Sequence, residues 1–454
     1  MRKSSVVAHP DAAAGAGAVA GAGVGAATDP VQVTITLQPA GAPAGGYVAS
    51  AQVGGRPPVA GTFQLPAYDW NQESARVGTG PDGGAGTDAA ADAGMRLFDA
   101  LFAGALRRCW AQAVEDSKGR GMRLVVSSAD LTVHGLPWEL LYDRVLVNRQ
   151  LLLVDGWSVL RAVPVPPRPP EPLGSTGELG VLVVTARVAG VDNEADLAAL
   201  REVWPAASVE ARHGQGTADV AAALRARRVD VLHVAAGGVE LPDGRQYVAL
   251  GDASGTDPMA VVVLVSATEL LEMFDAARRP RLVVLAGSDT DVLAAELARV
   301  VPAVVGIRGS VSEKGCAAFL HAFYRALGDG ESFERALAAG RAQQRAFASA
   351  LRAEWAAPVG FLPAGRLVAP AEPSGAPPPP RAPMAASATL TAPADESPVG
   401  RAGVELEIYT RDRDALLAQW GLVDGQLWPE LVTRHRAELD TRLAEAARRL
   451  GGSP

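Results

Sequence analysis

Residues 233–238 read His-Val-Ala-Ala-Gly-Gly, and residues 285–290 read Leu-Ala-Gly-Ser-Asp-Thr. Each closes an apolar run, Asp230–Ala235 in the first case and 281–286 in the second. A short unbroken apolar run that ends in Gly or polar residues reads as a strand buried on both faces, as a parallel sheet requires. Parallel sheets carry their ligands and reactive groups outside the carboxyl ends of the strands. The two hexapeptides are therefore where chemistry is expected.

Reading outward, 179–185, 206–211 and 302–307 are further strands, and 193–204, 217–227, 266–277, 290–299, 312–328 and 331–352 have helical spacing. Strands and helices alternating in this way predict a parallel sheet wrapped by helices. Nearer the start, Val31, Val33, Ile35 and Leu37 alternate with polar residues, the pattern of a half-buried strand, and 47–53 can pair with it. Residues 76–94, rich in Gly, Asp and Ala, are expected to form a loop. Leu97, Phe98, Leu101, Phe102, Leu106, Trp110 and Val114 share one face of a helix expected over 95–116. A strand follows at 122–127, then Leu-Pro-Trp-Glu-Leu-Leu-Tyr-Asp at 136–143 and an apolar run at 151–154.

These patterns divide the chain. Residues 1–29 are an Ala/Gly-rich tail expected to be disordered, and 30–163 a first, β-containing part. A Pro-rich connection at 164–177 leads into an α/β domain over 178–369. A Pro/Ala-rich linker at 370–402 precedes a small α-rich module at 403–454, with a strand at 404–409, a helix near 427–449, and Trp420 and Trp428.

Composition narrows the function. With 48% hydrophobic and 20% charged residues the chain can bury a large core, and a formal charge of -8 argues against a nucleic-acid binder. No apolar run reaches the ~20 residues of a membrane span, and the first residues lack the compact apolar core of a signal peptide. Cys109 and Cys316 are the two cysteines, and neither has a ligand-spaced neighbour, so no metal or other cofactor is expected. So few cysteines suit a reducing, cytoplasmic setting.

The order of the motifs resembles the CHAT domain family, caspase-like cysteine proteases related to separase. The resemblance runs over about 31–367. It rests on the helix at 95–116, the Leu-Pro-Trp-Glu-Leu-Leu-Tyr-Asp segment, the strand Val229–Gly238 and Val265-Ser-Ala-Thr-Glu-Leu270. Val301-Pro-Ala-Val-Val-Gly306, Phe319–Leu327 and Ala336-Leu-Ala-Ala-Gly-Arg341 complete it. It implies an α/β fold with a caspase-like, mainly parallel sheet flanked by helices, an N-terminal β-containing subdomain and the small C-terminal module. It also implies a bacterial protein working with protein partners in conflict or defence.

The family's dyad is a Cys activated by a His, because the ionised thiol is the nucleophile. The resemblance puts the His slot at Gly237, followed by Gly238, and the Cys slot at Ser288. Both reactive residues are thus replaced. Three readings follow. The first is a catalytically inactive pseudoprotease that binds a protein or peptide at the former active site. The second is a hydrolase using Ser288 with another base. His233 shares a strand face with Gly237 but stands ~13 Å away, and Asp289 reads as a helix-start residue. The third is a nucleotide or small-molecule module, for which Gly237, Gly238 and Gly287 sit at strand ends but no phosphate-loop motif exists. His233 reads as a packed strand residue, Trp138 as a core or junction anchor, Cys316 as a small buried residue, and Arg308 as a solvated strand end or groove residue.

Overall fold

A computed structural model describes residues 29–41, 46–65, 85–165, 179–188, 194–204, 207–241, 245–253, 262–274, 279–347 and 353–362. The expected tail, the C-terminal linker, the C-terminal module and most of the Pro-rich connection lie outside these residues.

The strands in chain order are β1 (Val31–Pro39), β2 (Tyr47–Val53), β3 (Val59–Phe63), β4 (Met122–Ser128), β5 (Tyr142–Asp143), β6 (Arg149–Gln150), β7 (Trp157–Ala162), β8 (Gly180–Thr185) and β9 (Arg187–Val188). There follow β10 (Ser208–His213), β11 (Val231–Ala235), β12 (Gly238–Glu240), β13 (Gln246–Ala253), β14 (Val262–Val265), β15 (Leu282–Leu285), β16 (Ala303–Ile307) and β17 (Pro358–Phe361). Eleven of them form one sheet in the order β10-β8-β11-β15-β16-β17-β7-β4-β1-β2-β3. Its pairs are parallel except β16–β17, β1–β2 and β2–β3. Strands from both sides of the Pro-rich connection thus share a single sheet. β17 joins the two halves, antiparallel to β16 and parallel to β7.

Burial explains which strands are apolar throughout. β8, β15 and β16 are buried at every position, and β11 at all but its last. On one face of the second half, Leu232, Val234, Val283 and Leu285 pack against helices Thr217–Ala226, Ala267–Met273 and Asp291–Leu297. On the other, Val231, Val284 and Val305 meet helices Glu194–Val203, Glu313–Gly328 and Phe333–Phe347. β1 alternates instead, with Val31, Val33, Ile35 and Leu37 turned into a core shared with Phe98, Leu106 and Trp110.

The single helix expected over 95–116 is two, Ala85–Leu101 and Gly104–Asp116. Gly104 has φ +53, a left-handed turn that ends one helix and re-aims the next. The first begins at Ala85, so the loop expected at 76–94 is helical in its second part, and 66–84 lie outside the described residues. β3 and the small sheet β12-β13-β14, with β9 paired to β13, were not expected; β3, β12 and β14 are each five residues or fewer, too short for a clear alternation.

One buried histidine makes stability depend on pH. His134 is fully buried, its Nε2 2.9 Å from the carbonyl oxygen of Ser128. Burial pulls its pKa down to about 4. The unfolded chain takes up this proton near the ordinary value of 6.5, while the folded chain resists until about pH 4. Stability is therefore fully present above pH 6.5 and lost as pH falls toward 4, by about 3 kcal/mol. Urea midpoints measured across this range should fall, and His134→Gln should flatten that slope. An unchanged slope in the variant would remove His134 as its cause.

Candidate functional site

The two hexapeptides meet at one edge of the sheet. β11 and β15 are parallel neighbours, with His233 opposite Val284 and Val234 opposite Leu285. Beyond the ladder the loops remain bonded: Ala286 N–H donates to Val234 O (2.8 Å) and Gly238 N–H to Ser288 O (2.9 Å). A methyl group on Gly287 would lie 1.7 Å from the carbonyl oxygen of Ala236, and one on Gly238 would lie 2.3 Å from those of both Ser288 and Asp289. Glycine is required at both positions because backbone fills the space a Cβ needs.

The loop after β15 is also pinned from β16. Asp289 N–H donates to Gly309 O (3.2 Å), and Thr290 N–H to Ile307 O (2.8 Å). The Thr290 hydroxyl donates to Gly287 O (2.9 Å) and accepts from Ile307 N–H (3.0 Å). Asp289 has φ +53, so it occupies a left-handed turn rather than the helix start expected for it. The helix Asp291–Leu297 begins after Thr290, and its first-turn acid is Asp291.

The structure brings Gly237, Gly238, Ser288 and Asp289 together and leaves His233 out. The His233 side chain is fully buried between β11 and the helix Glu313–Gly328, where Nδ1 lies 2.8 Å from the Tyr324 hydroxyl. His213 ends β10, three strands from β15, with Nδ1 2.8 Å from the Thr185 hydroxyl. At ~4.8 Å per strand that is ~14 Å from Ser288. Among the described residues the half-exposed Ser288 hydroxyl has no hydrogen-bond partner. Cys316 is half-buried, its Sγ 3.5 Å from Ala286 O.

A buried polar group behind this edge escaped the sequence reading. Glu139, fully buried, accepts from Arg161 Nε on one oxygen (3.1 Å) and from Arg161 Nη2 on the other, while Arg161 Nη1 donates to His134 O. Arg341 donates to Pro358 O (2.7 Å) and lies 3.9 Å from Glu139. Arg308, expected at a solvated strand end, is only 7% exposed. Asp291 is buried too; burial raises its carboxyl pKa against the opposing pull of Arg161 and Arg308. Gln246 donates to Asp291 (3.2 Å) and accepts from the N–H groups of Val292 and Leu293. The signal in the sequence was a Glu inside an apolar segment, 136–141, since a buried carboxylate needs a cation. Trp138, read as an anchor, is fully buried and donates to Val133 O (2.7 Å).

The geometry offers a half-exposed hydroxyl between closed loops, and among the described residues no imidazole is hydrogen-bonded to it. Among the described residues no group of three or more His, Cys, Asp or Glu is placed to hold a metal ion, and no helix is long and apolar enough to cross a membrane.

Comparison with known proteins places the chain. Two solved structures of the Saccharomyces cerevisiae separase–securin complex, at 2.6 and 3.0 Å, are similar at 14% identity. Coverage is 59% and 58% of this chain and 19% and 17% of theirs, with TM-scores of 0.33 and 0.32. The chain thus spans under a fifth of their length. No curated protein matches it. The CHAT domain model matches residues 92–366, more than half of the sequence, starting later than the resemblance at 31–367. With a mainly parallel, helix-flanked sheet under that match, the chain belongs to the CHAT domain family.

Proposed function

We propose that this protein is a catalytically inactive CHAT pseudoprotease, a protein- or peptide-binding scaffold or regulator, working in the cytoplasm of a bacterium within a conflict or defence system. One observation carries the reading: at the edge where the resemblance puts the family's dyad stand Gly237 and Ser288, and among the described residues no imidazole is hydrogen-bonded to the Ser288 hydroxyl. A serine hydroxyl is a weak nucleophile until an adjacent base takes its proton. His233 is committed to Tyr324 in the core, and His213 stands three strands away. Losing the working parts of such a dyad costs several orders of magnitude in rate. The loops nevertheless keep their backbone bonds, which supports retention of the surface for binding.

The test is hydrolysis of a denatured protein and a mixed peptide pool by the full chain, read by mass spectrometry beside Ser288→Ala. The expected result is the same background with both. Cleavage by the natural chain that Ser288→Ala abolishes would overturn the proposal and establish a serine hydrolase.

A further inference from the structure

A cavity of about 730 Å³ lies along the same edge of the sheet as the Ser288 loop, not at that loop. Its position follows from the topology. β16 and β17 are antiparallel while β17, β7 and β4 are mutually parallel, so the amino ends of β7 and β4 share an edge with the carboxyl end of β15. β7 is three strands from β15, or ~14 Å. The cavity therefore extends the edge on which the degenerate site sits.

Its walls are basic, the reverse of the chain as a whole. Five arginines line it against three acids, in a protein of formal charge -8. One wall is the helix Phe333–Phe347, whose Glu334, Ala338, Arg341 and Arg345 fall on one face at spacings of four and three. The other wall holds Arg120 and Arg123 at the start of β4, and Trp157 opens β7. Arg123 is paired with Glu334 at 2.6 Å, and Arg341 is held by Pro358 O. Arg120 is exposed and donates to the carbonyl oxygen of Asp29 (2.9 Å). Arg345 is exposed and has no acid partner among the described residues. Two cations on opposite walls thus face the cavity from its rim.

We infer that this groove binds an acidic, partly apolar peptide segment of a partner protein. The volume lies in the range of ligand-sized clefts, 300–1,000 Å³. Ala338, Ala339 and Ala342 keep the helix wall low enough for a chain to lie along it. Carboxylates of the segment pair with Arg120 and Arg345, and apolar residues between them meet Leu152, Leu153 and Trp157. A polyphosphate fits less well. It calls for converging backbone N–H groups at a Gly-rich turn, and here the cations are spread and Asp29 and Asp155 interrupt them. The inference rests on the chain being a binding module, and it names where and what that module binds.

The probe is a fluorescein-labelled decapeptide of alternating Glu and Val, titrated with the full chain by fluorescence anisotropy, with a Lys/Val peptide as control. The Glu peptide should bind, weaken with added salt, and weaken roughly tenfold or more with R120E/R345E, while the Lys peptide stays unbound. Thermal melting of the double variant checks that these exposed substitutions leave the fold intact. No binding by the natural chain, equal binding by a correctly folded R120E/R345E, or displacement by ATP at lower concentration than by unlabelled peptide would each overturn the assignment. Mass spectrometry of the recovered peptide separates the two proposals. A peptide that binds through the arginines but is cut, with cutting lost in Ser288→Ala, leaves the groove standing and removes the pseudoprotease reading.

Discussion

Glu139→Ala should destabilise the protein by about 3–5 kcal/mol, with a fall in Tm on the order of 10 °C. The carboxylate is fully buried and holds the equally buried Arg161 through both oxygens. Removing it strands a guanidinium where water cannot reach it, and that penalty far exceeds the net worth of the pair. Arg341, 3.9 Å away and 5% exposed, loses its nearest anion as well. Two comparisons separate a stranded charge from lost packing. Glu139→Gln keeps the shape and one acceptor and should fall between the two proteins. Glu139→Leu combined with Arg161→Met should be more stable than Glu139→Ala, since replacing both charges removes the uncompensated one. Denaturant unfolding checks all three, and a loss under about 1 kcal/mol for Glu139→Ala would mean that the arginines find other acceptors.

Gly287→Ala should cost about 3 kcal/mol or more, at the upper end of overpacking effects. The added methyl would meet the carbonyl oxygen and carbon of Ala236 at 1.7 and 2.5 Å and the Cα of Gly237 at 3.0 Å. All three are backbone atoms in a loop bonded to the Ser288 loop, so no side chain can rotate away; the ends of β11 and β15 must part. The Gly238 N–H bond to Ser288 O is the first that such a separation breaks. Gly55, where an added Cβ meets nothing within 4 Å, is the control, and Gly55→Ala should stay within about 0.5 kcal/mol. Faster hydrogen exchange at Gly238 and Ala286 in Gly287→Ala would locate the damage at this edge. Native stability in that variant would contradict the close approach.

How much of this could be read beforehand depended on the range of the interactions. The strands at 179–185, 230–235, 281–286 and 302–307 were legible because a parallel strand buried on both faces has no polar positions to interrupt it. The pairing of His233 with Tyr324 was not, since the partners are 91 residues apart, although burial of His233 was expected. The break at Phe102–Gly104 was hidden because Phe102 and Leu106 keep their hydrophobic spacing across it while the backbone turns. Arg161 and Arg341 resembled the ordinary polar positions of a strand and a helix. Only tertiary packing, which brings β7 and the helix Phe333–Phe347 around Glu139, makes them buried charges. At the candidate site the adjacency of the two strand ends that carry Gly237 and Ser288 was legible by position. The closure of the two glycine loops on each other was not, because a clash with backbone leaves no mark in one sequence.

The most direct measurement is the reactivity of a thiol placed at position 288, where the resemblance to the family puts the nucleophile. In Ser288→Cys, alkylation by iodoacetamide can be followed against pH on the tryptic peptide 282–299, which holds no other cysteine. With no imidazole bonded to position 288 among the described residues, the thiol should titrate near its ordinary value, about 8.5, and introducing Gly237→His as well should lower that midpoint. A midpoint well below 7 in Ser288→Cys alone, as a thiolate paired with a cationic base would give, would mean that an activating group already stands at this edge and would contradict the assignment of the chain as a pseudoprotease.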